Sequence, residues 1–423
     1  MKSRFSIFTL IGPGLLIAAT GVGAGDLAGA GLAGSKLGLA ILWVVFVGAF
    51  FKFVLTEGLT RWQLATGSTL LEGAVEHFGW PFRIIFGAYF LFWSYVTAAA
   101  IMSACGVTMQ AIAPIFDDAN GKLVYALAQS LIGVAIAWWG GFKVFQRCMS
   151  VCIFIMFITV IITAVLLKPD VTGVLKGLFT PTIPDLQGEG LTWTIGLLGG
   201  IGGTVTILCY GYWIREEGRT STQSLKLCRL DLALGYIMTA LFGLAMVIIA
   251  SGTDASGKGV GFIIALANQL ETAIGPAGRW VFLIGAWAAV FSSLLGVWQA
   301  VPYLFADLWR LSVRTPKEVS VSEDAKRSDN PVDTRGWSYR GFLIVMAIVP
   351  LIQVRYSFEQ VQRNYVVTGA FFIPLLALGL LIMNSKTSWI GVKHRNRLST
   401  TFVFLLILGF FAWAGYRKLR GMI

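Results

Sequence analysis

Residues 20–29 read TGVGAGDLAG, with FTLIGPGLLIAA before them and LGLAILWVVFVGAFF soon after. Three glycines, Gly21, Gly23 and Gly25, and then a carboxylate, Asp26, interrupt a run apolar enough to lie in a membrane. Each glycine disfavours a continuous α-helix by roughly 1 kcal/mol relative to alanine. Lipid offers no hydrogen bonds, so unwound backbone persists there only where protein or ligand satisfies it. The stretch therefore predicts an unwound segment near mid-membrane, whose freed carbonyls turn the negative end of a half-helix dipole towards a cation. Asp26 adds a full negative charge, and burying it without a partner costs several kcal/mol. No basic residue occurs between Arg4 and Lys36, which makes a bound cation the economical partner. Close packing is the competing reading of the glycines, because Gly21/Gly25 and Gly25/Gly29 have small-xxx-small spacing. Packing alone does not call for a carboxylate.

The rest of the chain fits a membrane setting. Of 423 residues only 13% are charged and 56% are hydrophobic, with a mean hydropathy of +0.75. Soluble domains carry about 25% charged residues. The expected class is therefore an all-α, multi-span membrane protein; alternating barrel strands are absent. Runs of roughly 20 apolar residues give eleven expected spans, about 6–33, 37–60, 82–113, 122–140, 146–167, 191–214, 226–251, 279–309, 340–356, 364–384 and 399–417. The N-terminus imitates a signal peptide, but GPG interrupts its apolar core and a retained first helix is expected. Segment 259–275 is shorter and amphipathic, and is expected on the membrane surface or in a loop.

The net charge of +12 does not point to nucleic acid, because the basic residues lie mostly in short loops. Placing the N-terminus in the cytoplasm puts 21 of the 33 lysines and arginines on that side, so the C-terminus is expected outside. The polar stretch 312–339 reads as a solvated, flexible cytoplasmic loop, and 168–190 as an external one. The five cysteines have no metal-site spacing and imply buried reduced thiols rather than a disulfide framework.

A second stretch, TIGLLGGIGGTVTILCYGYW (194–213), repeats the glycine interruption in the sixth span. Interrupted spans in corresponding halves are the best sequence pointer to a transporter's binding site. Spans one and six are five apart, as an inverted five-plus-five repeat requires.

At these residues the sequence resembles the NRAMP family of divalent-metal transporters, over most of spans one to eight. GPGLLIAATGVGAGD (12–26) is similar to the family's first-span pattern, GPG followed by Asp-Pro-Gly-Asn. LTEGLTRWQLATGSTLLEG (55–73) resembles its second-span exit, and GTVTIL (203–208) falls where the sixth span reads Ala-Thr-Val-Met-Pro-His. The resemblance implies a LeuT-type fold of eleven helices, helices 1 and 6 discontinuous, with metal between them. It implies one transporter domain over 1–423, with repeats at about 6–167 and 191–384 and an extra helix at about 399–417.

The departures carry the specificity. Asp-Pro-Gly-Asn is here Gly23-Ala24-Gly25-Asp26, and Met-Pro-His is here Thr206-Ile207-Leu208. The third span has no charged side chain from Arg83 to Asp117, where the family uses acids for proton transfer. A thioether selects soft transition metals, and a hydroxyl in its place removes that preference. Mg²⁺ wants oxygen at about 2.1 Å and keeps several waters. The pattern resembles the family's magnesium-transporting prokaryotic relatives, and implies uptake of partly hydrated Mg²⁺, with Mn²⁺ as a second substrate and Ca²⁺ disfavoured. No proton relay is evident, so the membrane potential would drive it. Within that resemblance Asp26 is the charged ligand, the carbonyls of Gly23 and Gly203 and the hydroxyl of Thr206 complete the site, and Tyr210 orients a water. A bacterial plasma-membrane monomer with no resident cofactor is expected, its partners being divalent ions and lipid.

Three alternatives stand beside this: a LeuT-type carrier of an organic substrate or amino acid with Na⁺, a Mg²⁺ channel, and a structural subunit. No nucleophile motif, paired histidine ligands or phosphate loop supports an enzyme. Glu57 and Arg61 have the i,i+4 spacing of a structural ion pair, with Lys52 and Glu57 as alternative neighbours across a vestibule. Glu216 and Glu217 read as a solvated cluster or an ion exit. Asp231 and Asp307 lie near span ends and are expected to reach water. His77 and His394 read as loop residues.

Overall fold

The computed structural model describes residues 12–253, 259–313 and 333–420. The basic residues Lys2 and Arg4, and most of the 312–339 loop, lie outside that range. The described residues are helical almost throughout, and ten stretches among them are long and apolar enough to cross a membrane. The first of these, Gly25–Thr66, contains a turn at Gly38 (φ +64°). The turn divides a first helical rod, residues 13–37, from α3 (Leu42–Thr66).

That first rod departs from the expected unwinding. It runs as α1 (Pro13–Gly21), a nine-residue π-helix (Val22–Ala30) and α2 (Gly31–Leu37), with no break in helical sense. The glycines widen the turn instead of ending it, because a neighbouring backbone fills the space where side chains would stand. A Cβ on Gly21 would lie 2.5 Å from Gly202 C and Gly203 N, and one on Gly25 would lie 2.5 Å from Gly200 O. The packing reading of these two glycines is therefore correct, and the π-helical segment supplies the irregular backbone.

Next come α4 (Leu70–Ile112), kinked at Gly79 (φ +69°), α5 (Asp118–Trp139) and α6 (Gly141–Leu166). A capping box opens α4: Glu72 N donates to Thr69 Oγ1 and Thr69 N to Glu72 Oε2. The short α7 (Val171–Phe179) lies in the 168–190 loop.

The sixth span is broken as expected, into α8 (Glu189–Gly200), four non-helical residues, a 3₁₀ turn (Val205–Cys209) and α9 (Tyr210–Glu216). It is the most enclosed span, wrapped by the others. After it come α10 (Leu225–Ser251), α11 (Val260–Ile274) and α12 (Pro276–Val313). The amphipathic α11 buries Phe262, Ile263, Leu266 and Leu270 against the bundle. The chain ends in α13 (Trp337–Ile348), α14 (Leu351–Val354), α15 (Phe358–Ala370), α16 (Phe372–Met383), α17 (Thr387–Ile390) and α18 (Leu398–Arg420). α18 packs on the outside and leaves Phe402 and Leu405 exposed, a lipid-facing pattern.

Asp231 and Asp307 do not reach water, because each is already paired inside the bundle. Asp231 Oδ2 accepts from Gly14 N (2.9 Å), Tyr210 Oη (3.0 Å) and Arg219 Nη1 (3.0 Å). Asp307 takes Tyr212 Oη (2.6 Å) and Arg310. Glu57 and Arg61 form the expected ion pair at 3.3 Å, joined by Arg229 at 2.6 Å. His77 sits inside α4 and stacks on Trp389, with ring centroids 3.8 Å apart. All five cysteines are free.

Candidate functional site

The break in the sixth span rests on Gly202 (φ +68°) and Gly203 (φ +91°), left-handed conformations that side chains resist. It leaves the carbonyls at the end of α8 without helical partners, inside the membrane. Lys52, from the middle of α3, supplies them. Its Nζ donates to Gly199 O (2.7 Å), Ile201 O (3.0 Å) and the carbonyl of Gly203. An ammonium has three N–H donors, and all three are used. A positive charge at a helix C-terminus also matches the dipole. Asp26, in the π-helical segment, completes the arrangement: its Oδ1 accepts from Gly202 N at 3.1 Å, and its charge acts on Lys52.

Asp26 and Lys52 are both fully buried. The expectation that Asp26 needs a cation nearby is met, but by a tethered one lying 26 positions along the chain. A lone lysine in the run VGAFFKFVL (47–55) was the signal for it, since an ionisable group in a span is functional by default.

The other expected site residues divide. Gly203 lies at the break, with the Thr206 hydroxyl beside it: a Cβ on Gly203 would come within 2.7 Å of Thr206 Oγ1. Gly23 faces α12, and its N–H donates to Ser293 Oγ (2.6 Å), which in turn donates to Ala19 O (3.0 Å). Tyr210 does not join the site. Its hydroxyl donates to Asp231 and to Cys228 O (3.3 Å), because α9 turns that face towards α10.

Further polar groups around the break were not foreseen. Trp93 Nε1 donates to Thr204 Oγ1 (2.8 Å), and Tyr236 Oη meets Thr56 Oγ1 (2.7 Å). Tyr236 and Tyr365 both stand within electrostatic reach of Asp26.

Chemically the centre is one carboxylate, one ammonium, hydroxyls and carbonyls. Asp26 Oδ2 is buried and accepts no hydrogen bond from any described residue. No cluster of three or more His, Cys, Asp or Glu side chains capable of holding a metal occurs among the described residues. All available donors are oxygens, and nothing here is arranged as a nucleophile with its base.

A model of the family described as natural resistance-associated macrophage protein-like (Nramp) matches residues 14–419. The chain belongs to the Nramp family. That makes it a membrane transporter and not an enzyme. This Nramp chain is 22% identical over 417 residues to the metal transporter nramp1 homolog of Dictyostelium discoideum, covering 95% of itself and 73% of that relative. Its fold matches the manganese transporter of Eremococcus coleocola with a TM-score of 0.67 at 14% identity, over 96% and 86% of the two chains. It also matches MhsT, solved with L-phenylalanine, with a TM-score of 0.63 at 17% identity, over 97% of each. At such identities these likenesses speak for the fold alone, which is of the LeuT type.

Proposed function

We propose that this Nramp chain is a divalent-cation transporter that takes up partly hydrated Mg²⁺, with Mn²⁺ as a second substrate, driven by the membrane potential without proton coupling. The observation that carries the reading is Asp26, a wholly buried carboxylate at the sixth-span break with one oxygen unengaged. Family membership and the metal transporters among its relatives support the substrate class. The donors support a hard ion: the carboxylate, the carbonyls of Gly23 and Gly203 and the Thr206 hydroxyl offer oxygen only. The membrane potential supplies about 2.3 kcal/mol per charge per 100 mV. In this reading the segments 6–167 and 191–384 rock around the site, with the N-terminus cytoplasmic and the C-terminus outside in a bacterial plasma membrane.

Lys52 sets the condition for loading. Two unit charges 4 Å apart interact by about 4 kcal/mol at an effective dielectric constant of 20, and a dication doubles that to about 8. Metal and ammonium therefore exclude each other from the Gly203 carbonyl, and the lysine swings away as the ion enters. In proteoliposomes, Mg²⁺ uptake should follow an imposed potential, and Asp26→Ala should lower it at least about tenfold, or 1.4 kcal/mol. Uptake at the parental rate in Asp26→Ala rejects the site, and resolvable unitary currents make the protein a channel instead.

One observation favours a second reading. An ammonium satisfied on all three donors is a stand-in for a co-transported cation, as a carrier of amino acids or other organic solutes requires. Binding of an amino acid that Mg²⁺ does not compete with selects that reading.

A further inference from the structure

Where α3 ends and α10 and α18 begin, a cleft of about 400 Å³ opens at one end of the bundle. Five basic side chains line it, Arg61, Arg229, Lys393, Arg395 and Arg397, against a single carboxylate, Glu57. That carboxylate is already taken. Arg61 Nε lies 3.3 Å from its Oε2, and Arg229 holds its Oε1 through Nη2 (2.6 Å) and Nε (3.0 Å).

Arg61, 5% exposed, serves as the floor. It donates to His394 O (2.9 Å), Arg395 O (2.8 Å) and Asn396 Oδ1 (3.0 Å), which pins residues 394–396 as a fixed wall. Arg229 and Arg397 both act on it as like charges. Lys393, Arg395 and Arg397 form no ion pair with any described residue. The cleft is thus a built, concave surface with four positive charges in excess, and it lacks its anion.

The surroundings say what kind of anion. On α18, Leu398 directly follows Arg397 and is 91% exposed, and Phe402 and Leu405 continue the outward apolar face. On α10, Leu227, Leu230 and Leu234 do the same. Two lipid-facing strips therefore begin at the rim of the cleft, which places it at headgroup level. We propose that this cleft binds the phosphate headgroup of an anionic phospholipid, whose acyl chains follow the exposed faces of α10 and α18. Basic pockets between helices recognise anionic headgroups in this way, and guanidinium groups take phosphate oxygens in pairs. The proposal is independent of which solute is carried.

The test uses the full-length protein in nanodiscs of phosphatidylcholine alone or mixed with phosphatidylglycerol, read by thermal melting. Phosphatidylglycerol should raise the midpoint by several degrees, through binding to the native state. The triple variant Lys393→Gln, Arg395→Gln, Arg397→Gln should lose at least about two thirds of that rise. Its midpoint in phosphatidylcholine should match the parent. Should the triple variant misfold, Arg395→Lys with Arg397→Lys keeps the charge and should keep only part of the rise. Inorganic phosphate, added to discs of phosphatidylcholine, separates the sources. Equal stabilisation by phosphate gives the cleft to a free phosphate ligand and overturns the lipid. A rise that survives in the triple variant, or no rise in the parent, overturns the site.

Discussion

At the scale of single residues, Lys52 and Asp26 hold the centre from two sides of the break, Lys52 on three carbonyls and Asp26 on the Gly202 N–H, and act on one another through space without direct contact. Removing the ammonium leaves three buried carbonyls unsatisfied, at about 1–3 kcal/mol each, and takes the counter-charge from Asp26. Neutralising Asp26 as well removes only the electrostatic part of that loss. Lys52→Met should therefore lower the melting midpoint sharply in a metal-free buffer, and Lys52→Met with Asp26→Asn should recover part of the loss. Under the proposed function the single variant should also gain more stabilisation from added Mg²⁺ than the parent does, because the proposed site's rival cation would be gone. A midpoint in Lys52→Met equal to the parent's would show that the ammonium contributes nothing. Asp26 was legible from its own neighbours, since a carboxylate among membrane glycines demands an explanation. Lys52 was legible as an ionisable group within a span, but its closeness to Asp26 was not, because the two lie 26 positions apart on separate helices and meet only at the sixth-span break.

At the scale of elements, the glycine run of the sixth span was legible as a break, and two positive φ values bear it out. The run in the first span was over-read as unwinding. Composition tells that a helix is weak there, but whether it opens or widens depends on what packs against it. Here the Gly200–Gly203 backbone does so, together with Ser293. A methyl group at Gly21 meets backbone at 2.5 Å, where nothing flexible can yield. Gly21→Ala should cost about 1–3 kcal/mol through overpacking and reduce transport. Gly379→Ala, in α16, meets nothing within 4 Å and should leave the midpoint within about 0.5 kcal/mol. Equal effects of the two substitutions would remove close packing as the reason for the first-span glycines.

On the scale of the whole molecule, the first rod is tied at both ends. At one end Gly14 N bonds to Asp231, which also holds Tyr210 and Arg219. At the other, Lys36 pairs with Glu189 at the start of α8 (3.0 Å) and with Glu359 of α15. The helical membrane class followed from hydropathy, with ten stretches among the described residues long and apolar enough to cross where eleven were expected, but these ties of the first rod join residues more than 150 positions apart and left no local pattern. Charged groups near span ends were expected to seek water; in fact Asp231 turns inward because three donors await it. Asp231→Asn keeps the shape and weakens the tie to Arg219, so the bundle should open more often at that end. Cys228 is buried there against Tyr210 and reports on it. Its labelling by a water-soluble maleimide should speed up about tenfold, for a shift of about 1.4 kcal/mol. An unchanged labelling rate would mean that this contact does not guard the passage.

The leash on Lys52 has an electrical corollary. A metal carrier whose vacant pocket is a bare carboxylate must drag one negative charge through the field each time it resets. Under the proposed function, the empty carrier would return with Asp26 and Lys52 together, opposite charges of which the positive one is covalently attached. On that proposal, resetting would move almost no net charge, so voltage would act on the step that carries cargo and leave the empty return untouched. Throughput at high potential would be capped by a mechanical step that no electric field can hurry.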